Sequence, residues 1–293
     1  MISAETESRV ARHQARDPDT VEAAFLTRRL NDEREIIATS LEHLPSRPQN
    51  LVSLMRKSHR EAGFLHHLRP DSPEIRVALH RMARAAKALC DLAAPGIGAV
   101  KVSLGDEVPS FMAERARYRF SVGDFTKAFY AAIAVRDAQV IDALLKVDVD
   151  QLQVSGLLFE DYSFLWARAL QCWFRGDGNT VDVLTQALEA TDPDKLKHGS
   201  QAYALFIACL EMELMSASMV GAERFNRTLH KALAEGHKIY YGQIEANADE
   251  DQSDEPEGFI ALGPLAFACA MHDRGWPITV KSDYLPVSII ENR

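Results

Sequence analysis

Cysteine is scarce in this 293-residue chain, and Cys90, Cys172, Cys209 and Cys269 stand far apart with no CxxC spacing. That excludes a disulfide framework or a cysteine zinc site and predicts reduced thiols in apolar surroundings. Long apolar runs are missing as well. The longest uncharged stretch, Gly258 to Met271, is interrupted by Gly263 and Pro264 and is too short to cross a hydrocarbon layer of about 30 Å as a helix. The first residues, MISAETESRV, have neither the basic start nor the apolar stretch of a secretory signal, so a cytoplasmic location is expected.

Catalytic signatures are absent too. There is no GxSxG, no P-loop and no HExxH, and GIGAVK lacks the third glycine of a dinucleotide fingerprint. Cys172 and Cys209 have no histidine neighbour in sequence that would activate a thiol. His59, His66 and His67 share one predicted helix, with His59 and His66 seven apart. A helical zinc pair wants a spacing of three or four and a third ligand, so these three read as ordinary surface or partly buried histidines. Nothing points to a metal, a cofactor or an enzyme.

Positive charge is thin in the second half. Residues 1–120 hold 19 Lys/Arg against 16 Asp/Glu, and residues 121–293 hold 14 against 26, so the net charge of -9 comes from the C-terminal part. A negative field repels nucleic acid and anionic membranes and speeds association with basic partners. The densest acid run is NADEDQSDEPEG, in which Asp249, Glu250, Asp251, Asp254, Glu255 and Glu257 occur without a base. Counted as an EF-hand loop from Asp249 it has Asp254 where glycine is required and Ile260 where the closing glutamate belongs. Composition alone leaves a solvated loop or a docking element for a basic partner.

What is present is helical periodicity. Val21 to Leu44 and Leu51 to Leu68 read as helices, and Ser72-Pro73-Glu74 starts a third that carries Ile75, Leu79, Met82, Ala86 and Leu89 on one face. AVKVSLGDEV alternates and predicts a short extended segment, as does ITVKSDYLPVSII at the end. Gly-Asp turns at Gly123-Asp124 and Gly176-Asp177 are expected to close helix hairpins of tetratricopeptide type, though 53 residues between them is no solenoid period. Arg175-Gly176-Asp177 therefore reads as a turn, not an adhesion tripeptide. Gln201 to Met215 is the expected central helix, and Gly236 the expected end of the next one. The fold expectation is an all-α, compact multi-helix bundle forming one domain over 1–293, with a flexible N-terminus over 1–17 and an acidic loop over 247–258.

The order and spacing of several pieces in the last third carry a resemblance. ERFNRTLHKALAEGHKIYYG, the acidic run, and FIALGPLAFACAMHDRGWPITVKSDYLP resemble the immunity protein 49 family of bacterial polymorphic toxin systems. The shared features are Phe225, Leu229 and Leu233 on one helix, the His237 to Tyr241 segment, the Leu262 to Gly275 helix and turn, and Asp283-Tyr284-Leu285-Pro286. The resemblance implies an all-helical cytoplasmic protein that blocks a cognate toxin by binding it. With the charge balance it implies a basic toxin, a nuclease being the favoured kind and a peptidoglycan hydrolase the disfavoured one. The six acids are then expected to meet that toxin, with Tyr240 and Tyr241 as aromatic anchors. A helical adaptor or regulatory scaffold of tetratricopeptide type is the alternative.

Overall fold

The computed structural model describes residues 9–13, 21–94, 96–105, 108–115, 121–152, 158–242 and 252–293. Three helices open the described chain, α1 (Val21–His43), α2 (Asn50–Leu68) and α3 (Glu74–Ala93). Their apolar positions recur at helical spacing, and α2 packs between α1 and α3. In its second half α2 is enclosed nearly all round, from Ala62 to His67. Charge fastens the same layer: Arg34 (2.9 Å) and Arg81 (2.7 Å) both reach Glu61, and Arg34 also reaches Glu74 at 3.0 Å.

The alternating stretch after α3 forms β1 (Ala99–Val102), which pairs antiparallel with β2 (Phe111–Glu114) in the register Val102 to Phe111. The second strand had no legible signal of its own. Helix α4 (Val122–Val135) follows, then α5 (Ala138–Leu144). Gly123 and Asp124 do not close a hairpin as expected. They lie in the first turn of α4, where the Ser121 hydroxyl accepts from the Asp124 N–H and the Asp124 carboxylate answers the Ser121 N–H, a capping box. The Asp124 carboxylate is also gripped by Arg56 of α2 at 2.9 and 2.8 Å, so one acid serves as cap and as interhelix clasp.

The second Gly-Asp pair behaves as read. Helix α6 (Asp161–Arg175) ends on Gly176 at φ 74°, and α7 (Thr180–Glu189) returns along it. A positive φ there suits glycine, which has no Cβ to clash. Glu160, just before α6, accepts the backbone N–H groups of Lys197 at 2.8 Å, of His198 and of Gly199 at 2.6 Å, tying the 197–199 stretch to the start of that helix.

The next two helices depart from expectation in the same way. Helix α8 (Gln201–Tyr203) runs through a π-helical stretch, Ala204–Ala208, into α9 (Cys209–Ser218). Helix α10 (Ala222–Lys231) runs through a second, Ala232–His237, into α11 (Lys238–Gly242). Gly236 therefore does not end its helix. A Cβ there would stand 3.6 Å from Leu210 Cγ and in overlap with the Phe206 carbonyl, so the glycine lets the two π stretches touch. The most enclosed helix is not Gln201 to Met215 but α12 (Leu262–Asp273), buried without interruption from Leu262 to Cys269. A last turn, α13 (Val287–Ile290), packs on α12 and α4. Phe225, Leu229 and Leu233 are fully buried in one contiguous core, each contributing about 2 kcal/mol of apolar burial. Of the cysteines, Cys269 lies in that core and the other three are partly buried; all are free thiols.

One acid sits inside the core. The Tyr130 hydroxyl donates to Glu211 Oε2 at 2.7 Å and receives the Trp166 indole N–H at 2.8 Å. Gly263 of α12 lies so close that a Cβ would stand 2.6 Å from the Glu211 carboxyl carbon. Burial pushes the Glu211 carboxyl up to about 7, against the opposing pull of the Tyr130 hydrogen bond and of Lys127. A raised value means that the folded chain binds a proton the unfolded chain releases near the ordinary carboxyl value of 4.5, so stability is full below 4.5 and is lost as pH rises through 7. Measured by urea unfolding between pH 5 and 7, the wild type is expected to lose on the order of 1 kcal/mol per pH unit relative to Glu211→Gln, with the difference levelling off above pH 7.

Candidate functional site

Asp249, Glu250 and Asp251 lie outside the described residues, as does 243–248. The rest of the acid run is built into the fold. Asp254 to Phe259 crosses α2 at Gly63, where a Cβ would stand 2.6 Å from the Pro256 carbonyl carbon and nearer still to its oxygen. Pro256, Gly258 and Phe259 are buried at this crossing. Charged groups fix both sides. Arg60 of α2 binds Glu255 at 2.7 Å and Glu33 at 2.7 Å, and Lys57 holds Glu33 at 2.9 Å. Lys127 of α4 pairs with Glu257, and Arg29 donates to the Asp254 carbonyl at 3.2 Å. Glu255 and Glu257 thus hold the segment to its platform, while Asp254 is exposed. Burial opposes the charge on Glu257, but His59, Lys127 and Arg60 outweigh it and keep the carboxyl below the usual range.

Histidines and aromatic rings fill the space beneath. His59, His66 and His67, expected at or near the surface, are 3%, 2% and 4% exposed. Helix α2 is covered on its far side by the 254–259 crossing and by the C-terminal stretch, which periodicity within α2 does not reveal. Neither ring nitrogen of His59 has a hydrogen-bond partner, and its nearest acid is Glu257 at 3.6 Å. His66 Nε2 donates to the Asp283 carbonyl at 2.9 Å, and His237 Nε2 to the Gly258 carbonyl at 2.9 Å. A carbonyl only accepts, so each of these nitrogens carries the proton. Burial drives His59 down to about 4 and both His66 and His237 down to about 3.

Part of the N-terminus expected to be flexible closes this side. Val10 lies parallel to Ser282, with its N–H on the Lys281 carbonyl at 2.9 Å and its carbonyl receiving Asp283 N–H at 3.0 Å. Arg9 grips the Asp283 carboxylate at 2.6 Å. His13 donates from Nε2 to the Ser253 carbonyl at 3.0 Å, at the root of the acid run, and its ring stacks with Tyr241, Phe259 and Tyr284.

Both tyrosines expected to serve as anchors belong to this packing. Tyr240 is 7% exposed and meets Tyr203 edge-on, and Tyr241 is half-buried, with its ring against Gly258 and 4.7 Å from that of His237. Tyr241 thus braces the acidic segment at Gly258, and Tyr240 backs Tyr241 edge-on. The structure also supplies residues that the sequence did not mark: Gly63, Arg60, Glu33, Lys127 and His13. No local motif announces them, because each matters only through a partner far away in the chain. A charge count would have found one more feature, since residues 137–194 carry eleven acids and three bases. Several of those acids, Asp142, Asp148, Asp182, Glu189, Asp192 and Asp194, are exposed. Among the described residues no group of three or more His, Cys, Asp or Glu is placed to hold a metal ion, and no helix is long and apolar enough to cross a membrane.

A helical scaffold that carries an acid-rich segment on a fixed platform has the build of a protein-binding module. The family comparison gives that class its identity: the model described as Immunity protein 49 matches residues 69–289, and the chain belongs to that family. It is accordingly an immunity protein directed at a toxin. No curated protein and no solved structure matches the chain. The residues that carried the resemblance are structural. Phe225, Leu229 and Leu233 are core, and Tyr284 and Leu285 are buried.

Two tests follow from this geometry. Gly63→Ala gains helix propensity of about 1 kcal/mol but forces a methyl into the Pro256 backbone, which cannot swing aside as a side chain would. Overpacking of this kind costs about 1–3 kcal/mol or more, so the melting temperature is expected to fall, whereas Gly178→Ala, with open space around it, should leave it nearly unchanged. The buried histidines predict acid lability. Their folded values lie below the ordinary imidazole value of 6.5, so the stability they contribute is full above pH 6.5 and is lost as pH falls toward 4 and 3. Chemical unfolding at pH 7 and pH 5 should show a loss on the order of 1 kcal/mol per pH unit for each, and His59→Phe should reduce that slope.

Proposed function

We propose that this immunity protein binds one cognate toxin stoichiometrically, without chemistry of its own, and that the toxin is a basic nuclease acting in the cytoplasm. Family membership supplies the toxin as partner. The observation that carries the finer reading is the acid excess, concentrated in residues 121–293 and densest in a segment whose root is fixed. A protein that attacks nucleic acid benefits from positive charge because it must approach phosphate. An acidic inhibitor then gains association rate from long-range attraction and selectivity from matched charge. Asp249, Glu250, Asp251 and Asp254 are the acids proposed to meet the toxin. Beside these acids, Glu255 and Glu257 with Tyr241 hold residues 254–259 in place, which lowers the ordering cost of binding at that stretch.

The test is co-expression with the product of the neighbouring gene, which is expected to be a toxin domain, lethal alone and harmless with this chain. In stopped-flow association, Asp249→Asn, Glu250→Gln, Asp251→Asn and Asp254→Asn together should slow binding about tenfold or more at low salt and flatten its salt dependence, within the range that electrostatic steering provides. Unchanged kinetics at low and high salt would exclude a docking role for these acids. A periplasm-only toxin would exclude the cytoplasmic nuclease.

A further inference from the structure

Single exposed apolar side chains are ordinary on a soluble surface. Helix α1 presents two in register. Phe25 is 47% exposed and Ile36 41% exposed, and a separation of eleven residues brings both to one stripe of a helix, about three turns apart. Asp32 lies exposed between them on the same stripe. At its Phe25 end the stripe joins the acidic segment. The Arg29 guanidinium carbon stands 5.7 Å from the Phe25 ring and 5.3 Å from that of Phe64, while Arg29 donates to the Asp254 carbonyl. The Phe25 ring is therefore braced by a cation that is itself fixed, and about half of it remains in solvent. A large ring already held in place gives up little rotamer freedom on binding, which is a property of interface hot spots.

Charge indicates what would cover this face. The exposed charged side chains of α1 include Arg28, Asp32, Glu35 and Glu42, three acids against one base, and Asp254 meets the helix at Arg29, near its Phe25 end. Apolar anchors in acidic surroundings suit a partner whose apolar contact surface has a basic rim. Helix α1 also precedes residue 69, where the family match begins, so this stripe belongs to a part of the chain that the shared family pattern does not describe. We propose that the outer stripe of α1, with Phe25 and Ile36 as anchors and Asp32 between them, docks the basic cognate toxin domain together with Asp254. This rests on the immunity reading and adds to it a location and its anchors.

The experiment uses the full chain and an inactivated form of the cognate toxin domain, identified by its rescue in the co-expression test. The double variant Phe25→Ala/Ile36→Ser is expected to bind at least about tenfold more weakly, chiefly through faster dissociation, in line with loss of hot-spot contacts. Asp32→Lys should slow association several-fold at low salt. Val181→Ser on α7, an equally exposed apolar site, should bind like the wild type. Hydrogen exchange on the wild-type complex gives a readout that needs no substitution, with new protection expected over residues 25–36. Wild-type binding combined with an unaffected double variant, or with no added protection on α1, overturns the docking surface alone. A wild-type chain that neither binds nor protects overturns the immunity reading itself.

Discussion

The crossing of Pro256 over Gly63 is the contact on which the proposed recognition surface depends. A backbone carbonyl rests where any other residue of α2 would place a Cβ, so the acidic segment lies against the helix backbone and not on a layer of side chains. Once there, it falls within reach of Arg60 and Lys127, and the rings of His59, His67 and Phe259 are enclosed beneath it. Each ion pair is partly exposed and worth about 1 kcal/mol or less. Their value is positional: with Gly63 they choose one path for a stretch whose own charges repel one another.

Two kinds of acid emerge from one composition. Glu255 and Glu257 spend their charge on Arg60 and Lys127, whereas exposed acids such as Asp142, Asp182 and Glu189 project a field outward. The histidines follow the converse logic. Enclosed, they fill volume; His66 and His237, neutral at pH 7, each donate a hydrogen bond to a carbonyl of the segment that covers them, while His59 is neutral with neither ring nitrogen bonded. Glu211, held by Tyr130 in the core, extends the same rule, because a buried ionisable group survives by losing its charge or by finding a partner.

The family match and the N-terminal residues divide the labour between them. Residues 69–289 include the core helices α3 to α12 and the acidic segment itself. Helices α1 and α2 and residues 9–13 precede that region, yet they supply Gly63, Arg60, Arg29 and His13, which hold the segment in place. A shared helical framework with a separately built clamp is a physical route by which one family architecture can serve partners of different surface chemistry.

Helices α1, α2 and α3 were legible to within a residue or two, because their apolar spacing and the Ser72-Pro73-Glu74 start are local signals, and the Gly176 turn was legible for the same reason. The π stretches were not, since Gly236 marks a close approach to Phe206 that sequence presents as a helix end. Nor was the burial of His59, His66 and His67, or the internal pairing of Glu255 and Glu257. The sequence by itself determined the helical class, the acidic balance and the family, all properties that sum over neighbours in the chain. Only the tertiary structure decided which acids are spent internally and which aromatic rings stay in solvent, because each outcome depends on a contact between residues such as Arg60 and Glu255, or Arg29 and Asp254, that are nearly two hundred or more positions apart.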